Sequence, residues 1–226
     1  MKQALQSWRA FIEGHLYEDI DAPWRGDPAF ATLCEFPGLR DCIGGRIADS
    51  LTQGVGLVKA MTHIDLLSVV QTYARPHGLC LGFGMNALEP YDLLQMFSLA
   101  KVHAYEWISE QVVDAAKTLV ALAKEDARLS ERIRLHHGTI SDLSALPDCS
   151  IHVAYVGNVF THEIPMTQET FVRAVAEIVR VLDDGGIVFS RGSSGALEST
   201  LRPAGKFLLH NPLISVFQRQ KGSVEI

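Results

Sequence analysis

Two glycines and an asparagine follow a short apolar run in the middle of the chain. The run Leu79-Cys80-Leu81 leads directly into Gly82-Phe83-Gly84-Met85-Asn86. Glycine lets a ligand approach the backbone, and asparagine is one of the few other residues that tolerate a positive φ angle. Glu106 ends the next apolar run, where its carboxylate could accept hydrogen bonds from both hydroxyls of a ribose. The pattern predicts a site for a ribose-containing ligand beyond the ends of two strands.

Alternating strands and helices must position these residues. After Pro76, short apolar runs alternate with amphipathic segments, which is typical of a parallel sheet covered on both faces. Strands are predicted at 79–81, 101–105, 132–136, 151–156 and 187–190, and helices at about 90–99, 108–127 and 167–182, the last capped by Thr167. The runs 207–209 and 214–217 are too close together for a parallel crossover. The predicted fold is α/β, a Rossmann-like doubly wound sheet with a C-terminal antiparallel hairpin.

The N-terminal third has a different pattern. Residues 3–17 have the spacing of an amphipathic helix, and frequent glycines and prolines between residues 24 and 56 predict short helices and loops. We expect residues 1–75 to form a helical N-terminal region or lid, and residues 76–226 to form the Rossmann-like domain. The lid is expected to cover the carboxyl edge of the sheet.

Composition and charge narrow the class of protein. The 226 residues carry a net charge of -6, which gives no global attraction to nucleic acid. No apolar run approaches the roughly 18 residues that a membrane span requires. The four cysteines form no C-x-x-C pair, and no metal site is predicted. We expect a cytoplasmic protein that binds neither nucleic acid nor membranes, and the sequence leaves its oligomeric state open.

From about Leu79 to Lys221 the sequence resembles the class I S-adenosylmethionine-dependent methyltransferases. The resemblance rests on the strand order, the glycine loop, Glu106, the Leu182-Asp183-Asp184-Gly185-Gly186 turn and the final hairpin. The chain departs from the superfamily at Cys80, where an acid is common, and at Asn86, where glycine is frequent. The expected fold of such a protein is the one that the apolar pattern also predicts.

Short segments are weakly similar to the chemotaxis-type glutamate methyltransferases. They are Glu89-Pro90-Tyr91, Gly157-Asn158-Val159 and the Gly-Gly-Ile-Val-Phe-Ser-Arg-Gly-Ser-Ser segment of the fifth predicted strand. The arginine usual in those enzymes is replaced here by Gly157. Residues 127–131 leave no room for their small receptor-binding subdomain, so the receptor substrate is not carried over.

The resemblance implies S-adenosylmethionine as the cofactor. Glu106 would hold the ribose, Thr139 lies where many relatives contact adenine, and Glu89 would contact the methionine amino group in place of Cys80. The residues implied in cofactor binding are Gly82, Phe83, Gly84, Asn86, Glu89, Glu106, Thr139 and Asn158.

Methyl transfer depends mainly on holding the nucleophile, the methyl carbon and the sulfur in line. A base is needed only when the acceptor is a hydroxyl. Tyr155 and His162 lie at or beyond the end of the fourth predicted strand and are the candidate catalytic residues, with His162 as the base. The expected function is methyl transfer to a small-molecule or protein acceptor, with a small molecule as the favoured partner.

Three alternatives stay open at this point. Gly82-Phe83-Gly84-Met85-Asn86-Ala87 fits the G-x-G-x-x-A pattern of NAD-binding domains, with Glu106 as the following acid. Leu129-Ser130-Glu131-Arg132 is faintly similar to enzymes that transfer the aminocarboxypropyl arm of the same cofactor. Cys80 and Asn86 would also suit a methyltransferase-like interaction module without catalysis.

Overall fold

The computed structural model describes residues 47–83, 87–157, 159–160, 166–191, 195–210 and 214–222. Its strands are β1 (His77–Leu81), β2 (Lys101–Glu106), β3 (Ile133–His137), β4 (Ile151–Gly157), β5 (Leu182–Arg191), β6 (Gly205–Leu209) and β7 (Ser215–Arg219). Its helices are α1 (Ala48–Thr62), α2 (Leu66–Gln71), α3 (Leu88–Met96), α4 (Ser109–Leu122), α5 (Leu129–Arg132), α6 (Gln168–Val181) and α7 (Gly195–Leu201), and a 3-10 turn follows at Arg202–Ala204.

The strands form one sheet in the order β3-β2-β1-β4-β5-β7-β6. The first five strands are parallel, and β7 runs antiparallel between β5 and β6. The strand order reverses between β1 and β4. Because β1, β2, β4 and β5 are parallel, their carboxyl ends lie at one edge of the sheet. In such sheets this edge is where ligands bind. The predicted α/β fold and the terminal hairpin are confirmed.

The largest differences between the predicted and the observed element boundaries are at the helix after β2 and at β5. The helix after β2 ends at Leu122 instead of residue 127, and the separate turn of α5 precedes β3. β5 begins at Leu182, directly after α6, and not at residue 187. Gly185 and Gly186 lie at an irregularity of this strand, because the pairing with β4 shifts register between Ile151–Leu182 and Val153–Ile187, and Gly185 has a φ angle of 81°. The glycine pair therefore interrupts the regular pairing, and the pairing of Leu182 with Ile151 extends β5 beyond it.

Helices cover both faces of the sheet. On one face α1, α3 and α4 pack against alternate strand residues that include Val153, Tyr155 and Phe189. On the other face α6 and α7 pack against the intervening residues Ala154, Val156 and Val188. Thr167 caps α6 as predicted, because its hydroxyl accepts a hydrogen bond from the backbone N–H of Thr170 at 2.9 Å.

The helical segment before β1 belongs to the same core as the sheet. Leu51, Val58 and Val70 are fully buried within it. Asp92 of α3 also fixes the start of α1, because its Oδ2 accepts hydrogen bonds from the backbone N–H groups of Ile47 at 2.9 Å and Ala48 at 3.2 Å. Residues 1–46 lie outside the described part of the chain, so the helix expected at 3–17 and the lid stay predictions.

Four imidazoles form a row across adjacent strands on the α6 and α7 face of the sheet. The histidine row consists of His152 of β4, His77 of β1, His103 of β2 and His136 of β3. The ring nitrogens His103 Nδ1 and His136 Nε2 are 3.2 Å apart, and the His77 backbone N–H donates to His152 Nδ1 at 3.0 Å. The pKa of each imidazole is lowered, and burial is the largest cause in every case. The pKa of His103 falls to about 4, because neighbouring charges add to the effect of burial.

Candidate functional site at the carboxyl edge

The edge is formed where Gly82, Glu106 and Gly157 end or follow their strands. Gly82 continues the β1–β2 ladder, because its N–H donates to the carbonyl of Tyr105 at 3.0 Å. Its φ angle of 70° favours glycine, and a Cβ at this position would clash with Val159 Cγ2. The segment after β4 therefore packs directly on the backbone of the glycine loop. This close packing accounts for the glycine at position 82.

Glu106 is a buried carboxylate with a fixed orientation. It is 4% exposed, and its Oε1 accepts hydrogen bonds from the backbone N–H groups of Trp107 at 2.9 Å and Ile108 at 3.2 Å. These two contacts arise because the chain turns into α4 immediately after β2. A carboxylate accepts hydrogen bonds and donates none when ionised, which suits the two hydroxyl donors of a ribose.

A second buried carboxylate is provided by the helix that follows β1 along the chain. Glu89, in the first turn of α3, is 5% exposed. Cys80 lies near both acids: burial first, and then the charges of Glu89 and Glu106, raises the pKa of its thiol. Cys80 is therefore a neutral thiol at neutral pH. The combination of two buried carboxylates with a neutral cysteine makes this edge electrostatically suited to a cationic ligand.

Tyr155 is part of the core below this edge. Its side chain is fully buried in the same cluster as Cys80 and Phe83. Burial is the main cause that raises the pKa of its hydroxyl, and the charges of Glu89 and Cys80 raise it further. A hydroxyl of this kind stays protonated and does not act as a base. Its catalytic role, predicted from the sequence, stays a prediction.

The ring of Tyr155 also explains the residue at position 157. A Cβ at Gly157 would lie 2.8 Å from Tyr155 Cε1 and 3.2 Å from its hydroxyl oxygen. A larger side chain, such as the arginine of the chemotaxis-type enzymes, would have to displace this fully buried ring. The departure from those enzymes at Gly157 is thus a consequence of packing.

The structure brings several of the predicted site residues to one edge. Glu89 and Glu106 lie there with Gly82 and the buried Phe83, whose side chain belongs to the core. Thr139 follows β3, where its hydroxyl lies 2.9 Å from that of Ser141 and accepts from the backbone N–H of Ser141 at 3.3 Å. The predicted residues outside the described ranges are Gly84, Asn86, Asn158 and His162.

A cluster that the sequence analysis missed also lies at this edge. Glu198 of α7, His210 after β6 and Ser215 of β7 are in mutual contact: His210 Nδ1 is 2.6 Å from Glu198 Oε1, and Ser215 Oγ is 3.2 Å from the same oxygen. The three residues come from different elements and match no fixed spacing. The signal that could have indicated them was the predicted hairpin itself, which returns His210 and Ser215 to the carboxyl edge.

Within the described ranges, no three His, Cys, Asp or Glu side chains are grouped so that they could hold a metal ion. None of the described helices is both long and apolar enough to cross a membrane.

Comparisons with known proteins agree with the fold. Residues 96–190 match the family model of the methyltransferase domain. No curated protein sequence matches the chain. Among solved structures, the MccD protein has a TM-score of 0.50 at 8% identity, with 68% of this chain and 94% of that chain covered.

Two further solved structures are similar. A candidate S-adenosyl-L-methionine-dependent methyltransferase from Methanococcus maripaludis has a TM-score of 0.49 at 16% identity, with 79% of this chain and 94% of that chain covered. The (4+2)-cyclase SpnF has a TM-score of 0.44 at 23% identity, with 68% of this chain and 57% of that chain covered. The chain spans only about half the length of the first structures it matches.

Residues 96–190 are thus similar to the methyltransferase domain, and the sheet around them has the Rossmann-like order of a doubly wound α/β fold.

Proposed function

We propose that the protein is an enzyme that binds S-adenosylmethionine at the carboxyl edge and transfers its methyl group to a small-molecule acceptor. The observation that carries the proposal is the pair of buried carboxylates, Glu89 and Glu106, beside the glycine loop of a methyltransferase domain. The bound cofactor supplies a methyl group on a positively charged sulfonium, together with an ammonium group and a ribose. An acidic edge attracts the positive sulfonium and ammonium groups, whereas it would repel the negatively charged pyrophosphate of a dinucleotide.

Each residue of the edge has a proposed task. Glu106 accepts hydrogen bonds from the ribose hydroxyls, and its backbone contacts keep the carboxylate in place before the ligand arrives. Glu89 accepts from the ammonium group. Cys80 cannot carry that charge, because its fully buried thiol is neutral. The backbone of Gly82 and Phe83 lines the loop.

The remaining predicted contacts are also part of the proposal. We assign the adenine side to Thr139, further cofactor contacts to Gly84, Asn86 and Asn158, and an acceptor-side role to His162. A cytoplasmic location is supported by the thiols, because Cys80 and Cys149 are both free. The acidic net charge of -6 supports an acceptor other than nucleic acid.

Calorimetric titration with S-adenosylhomocysteine tests the cofactor site. Glu106→Gln keeps a carbonyl oxygen that can accept from the backbone but removes the charge, and should weaken binding by roughly 10- to 150-fold, the equivalent of about 1.5–3 kcal/mol. Glu110→Gln, an exposed acid of α4, is the matched control and should leave affinity unchanged. Failure of the unaltered protein to bind at millimolar concentration would refute the proposal and support the interaction module.

The reaction products distinguish the remaining alternatives. Methyl transfer releases S-adenosylhomocysteine and adds one methyl mass to the acceptor. Transfer of the aminocarboxypropyl arm releases methylthioadenosine, and a nicotinamide enzyme would bind NAD in the same titration. Mass spectrometry of the nucleoside product therefore decides between the two transfer reactions, and an NAD titration decides the third.

A further inference from the structure

The cluster of Glu198, His210 and Ser215 lies at the same edge as the proposed cofactor site. β6 and β5 are both antiparallel to β7, so their carboxyl ends lie at the same edge of the sheet. His210 comes directly after β6, and Ser215 opens β7 opposite Ser190 of β5. Glu198 is on α7, which follows β5. Ser215 on β7 thus lies about two strand spacings, roughly 10 Å, from the end of β4, and the backbone of His210 after β6 lies about three, roughly 15 Å.

The contacts within the cluster define which imidazole nitrogen carries the proton. His210 Nδ1 lies 2.6 Å from Glu198 Oε1. An ionised carboxylate accepts hydrogen bonds but donates none, so the proton of the neutral imidazole is on Nδ1. Ser215 donates its hydroxyl hydrogen to the same carboxylate oxygen at 3.2 Å and lies 3.3 Å from Nδ1. Nε2 therefore carries the lone pair of the imidazole.

Burial divides the cluster into a fixed part and an accessible part. Glu198 is 9% exposed and Ser215 is 1% exposed, whereas the side chain of His210 is 65% exposed. A buried acid that orients an accessible imidazole is the arrangement that activates a histidine as a base. If these contacts served only to hold α7 against the hairpin, the lone pair of Nε2 would not need to be accessible to a ligand.

We propose that His210 is the general base for a hydroxyl acceptor, a phenol or an alcohol, with Glu198 and Ser215 as positioning residues. This inference rests on the proposed function. The acceptor O–H bond breaks and its proton goes to His210 Nε2, while the oxygen forms the new bond to the methyl carbon. The sulfonium sulfur keeps the electron pair of the broken S–CH₃ bond, and the carboxylate of Glu198 stabilises the imidazolium.

The chemistry of the acceptor explains why a base is needed. A hydroxyl still holds its proton at neutral pH and is a weak nucleophile until that proton is removed, whereas a carboxylate or an unprotonated amine attacks the methyl group without a base. A histidine–carboxylate pair therefore contributes to transfer onto oxygen of a hydroxyl and contributes little to the other acceptors. The attacking oxygen must lie both beside the methyl carbon and within hydrogen-bond reach of His210 Nε2, so the proposal places the acceptor over the ends of β5 and β7, between β4 and β6.

Activity assays with matched probes test the base. Catechol keeps its protons at neutral pH, whereas para-nitrophenol is largely ionised in mildly alkaline buffer, and benzylamine and benzoate serve as nitrogen and carboxylate acceptors. His210→Gln should lower kcat for catechol by about a hundredfold or more and should affect para-nitrophenol much less. Glu198→Gln should lower kcat for catechol and change its pH profile. His63→Asn, at an exposed histidine between α1 and α2, is the control.

Two measurements that do not depend on turnover accompany these assays. Calorimetry with S-adenosylhomocysteine should give the same affinity for the unaltered protein, His210→Gln and Glu198→Gln. The imidazole nitrogen NMR shifts of His210 should show the proton on Nδ1, and Glu198→Ala should abolish that preference.

The outcomes separate the two proposals. Absence of S-adenosylhomocysteine binding overturns the proposed function and the base with it. If S-adenosylhomocysteine still binds, two results would overturn the proposed base alone. One is that no hydroxyl probe is methylated, and the other is that kcat of His210→Gln for catechol stays within about threefold of the unaltered protein.

Discussion

The histidine row predicts that the folded protein loses stability in mild acid. Each of its imidazoles has a pKa below the ordinary value of 6.5, mainly because of burial. The nearby charges of Lys101 and Arg134 also disfavour protonation of His103, whereas Asp183 partly offsets burial at His152. Below pH 6.5 the unfolded chain therefore binds protons that the folded protein does not. Stability is fully present above that pH and decreases as the pH falls toward 4.

His103 sets the size of the effect. Its pKa falls from 6.5 to about 4, and one pKa unit corresponds to about 1.4 kcal/mol, so the loss at pH 5 could reach about 2 kcal/mol. The ring is only partly buried, and solvent screening reduces its contribution to about 1 kcal/mol. His136, with its Nε2 3.2 Å from His103 Nδ1, titrates together with it.

Urea unfolding at about pH 7.5 and about pH 5 measures this contribution. The unaltered protein should lose about 1 kcal/mol more between the two pH values than His103→Gln, which cannot be protonated. His63→Asn at an exposed position is the control and should behave like the unaltered protein. An equal loss in the unaltered protein and His103→Gln would show that burial of the row does not resist protonation.

Two further predictions concern packing and helix capping. Gly157→Ala should lower the free energy of unfolding in urea by about 1–3 kcal/mol, because its Cβ would lie 2.8 Å from Tyr155 Cε1. Adding Tyr155→Leu to the Gly157→Ala protein should restore part of the lost free energy. Gly56→Ala, whose Cβ would have no atom within 4 Å, is the control and should be neutral or stabilising. Asp92→Ala should lower the free energy of unfolding by about 1–3 kcal/mol in the same measurement, since the buried N–H of Ile47 and the half-buried N–H of Ala48 lose their acceptor, whereas Asp92→Asn keeps one acceptor oxygen. An Asp92→Ala protein as stable as the original would contradict the capping role.

The sequence by itself determined the strands, their alternation with helices and the closing hairpin. These features depend on local patterns: the run Ile151–Gly157 is apolar apart from His152, because both faces of the strand are largely buried, and four residues between two apolar runs permit only an antiparallel return. The two acids at the ligand edge were also within reach of the sequence. Glu106 ends a strand and Glu89 opens a helix, so the element boundaries alone place them near the same edge.

Only the tertiary structure decided which distant side chains meet. The histidine row depends on the register of four strands, and one residue of slippage would move any of its members to the other face. Glu198, His210 and Ser215 come together because α7 and the hairpin return to one edge. The need for glycine at position 82 likewise follows from its contact with Val159, and at position 157 from its contact with the ring of Tyr155. Such contacts join separate elements, and their geometry is set by sheet topology and packing, which local sequence patterns do not encode.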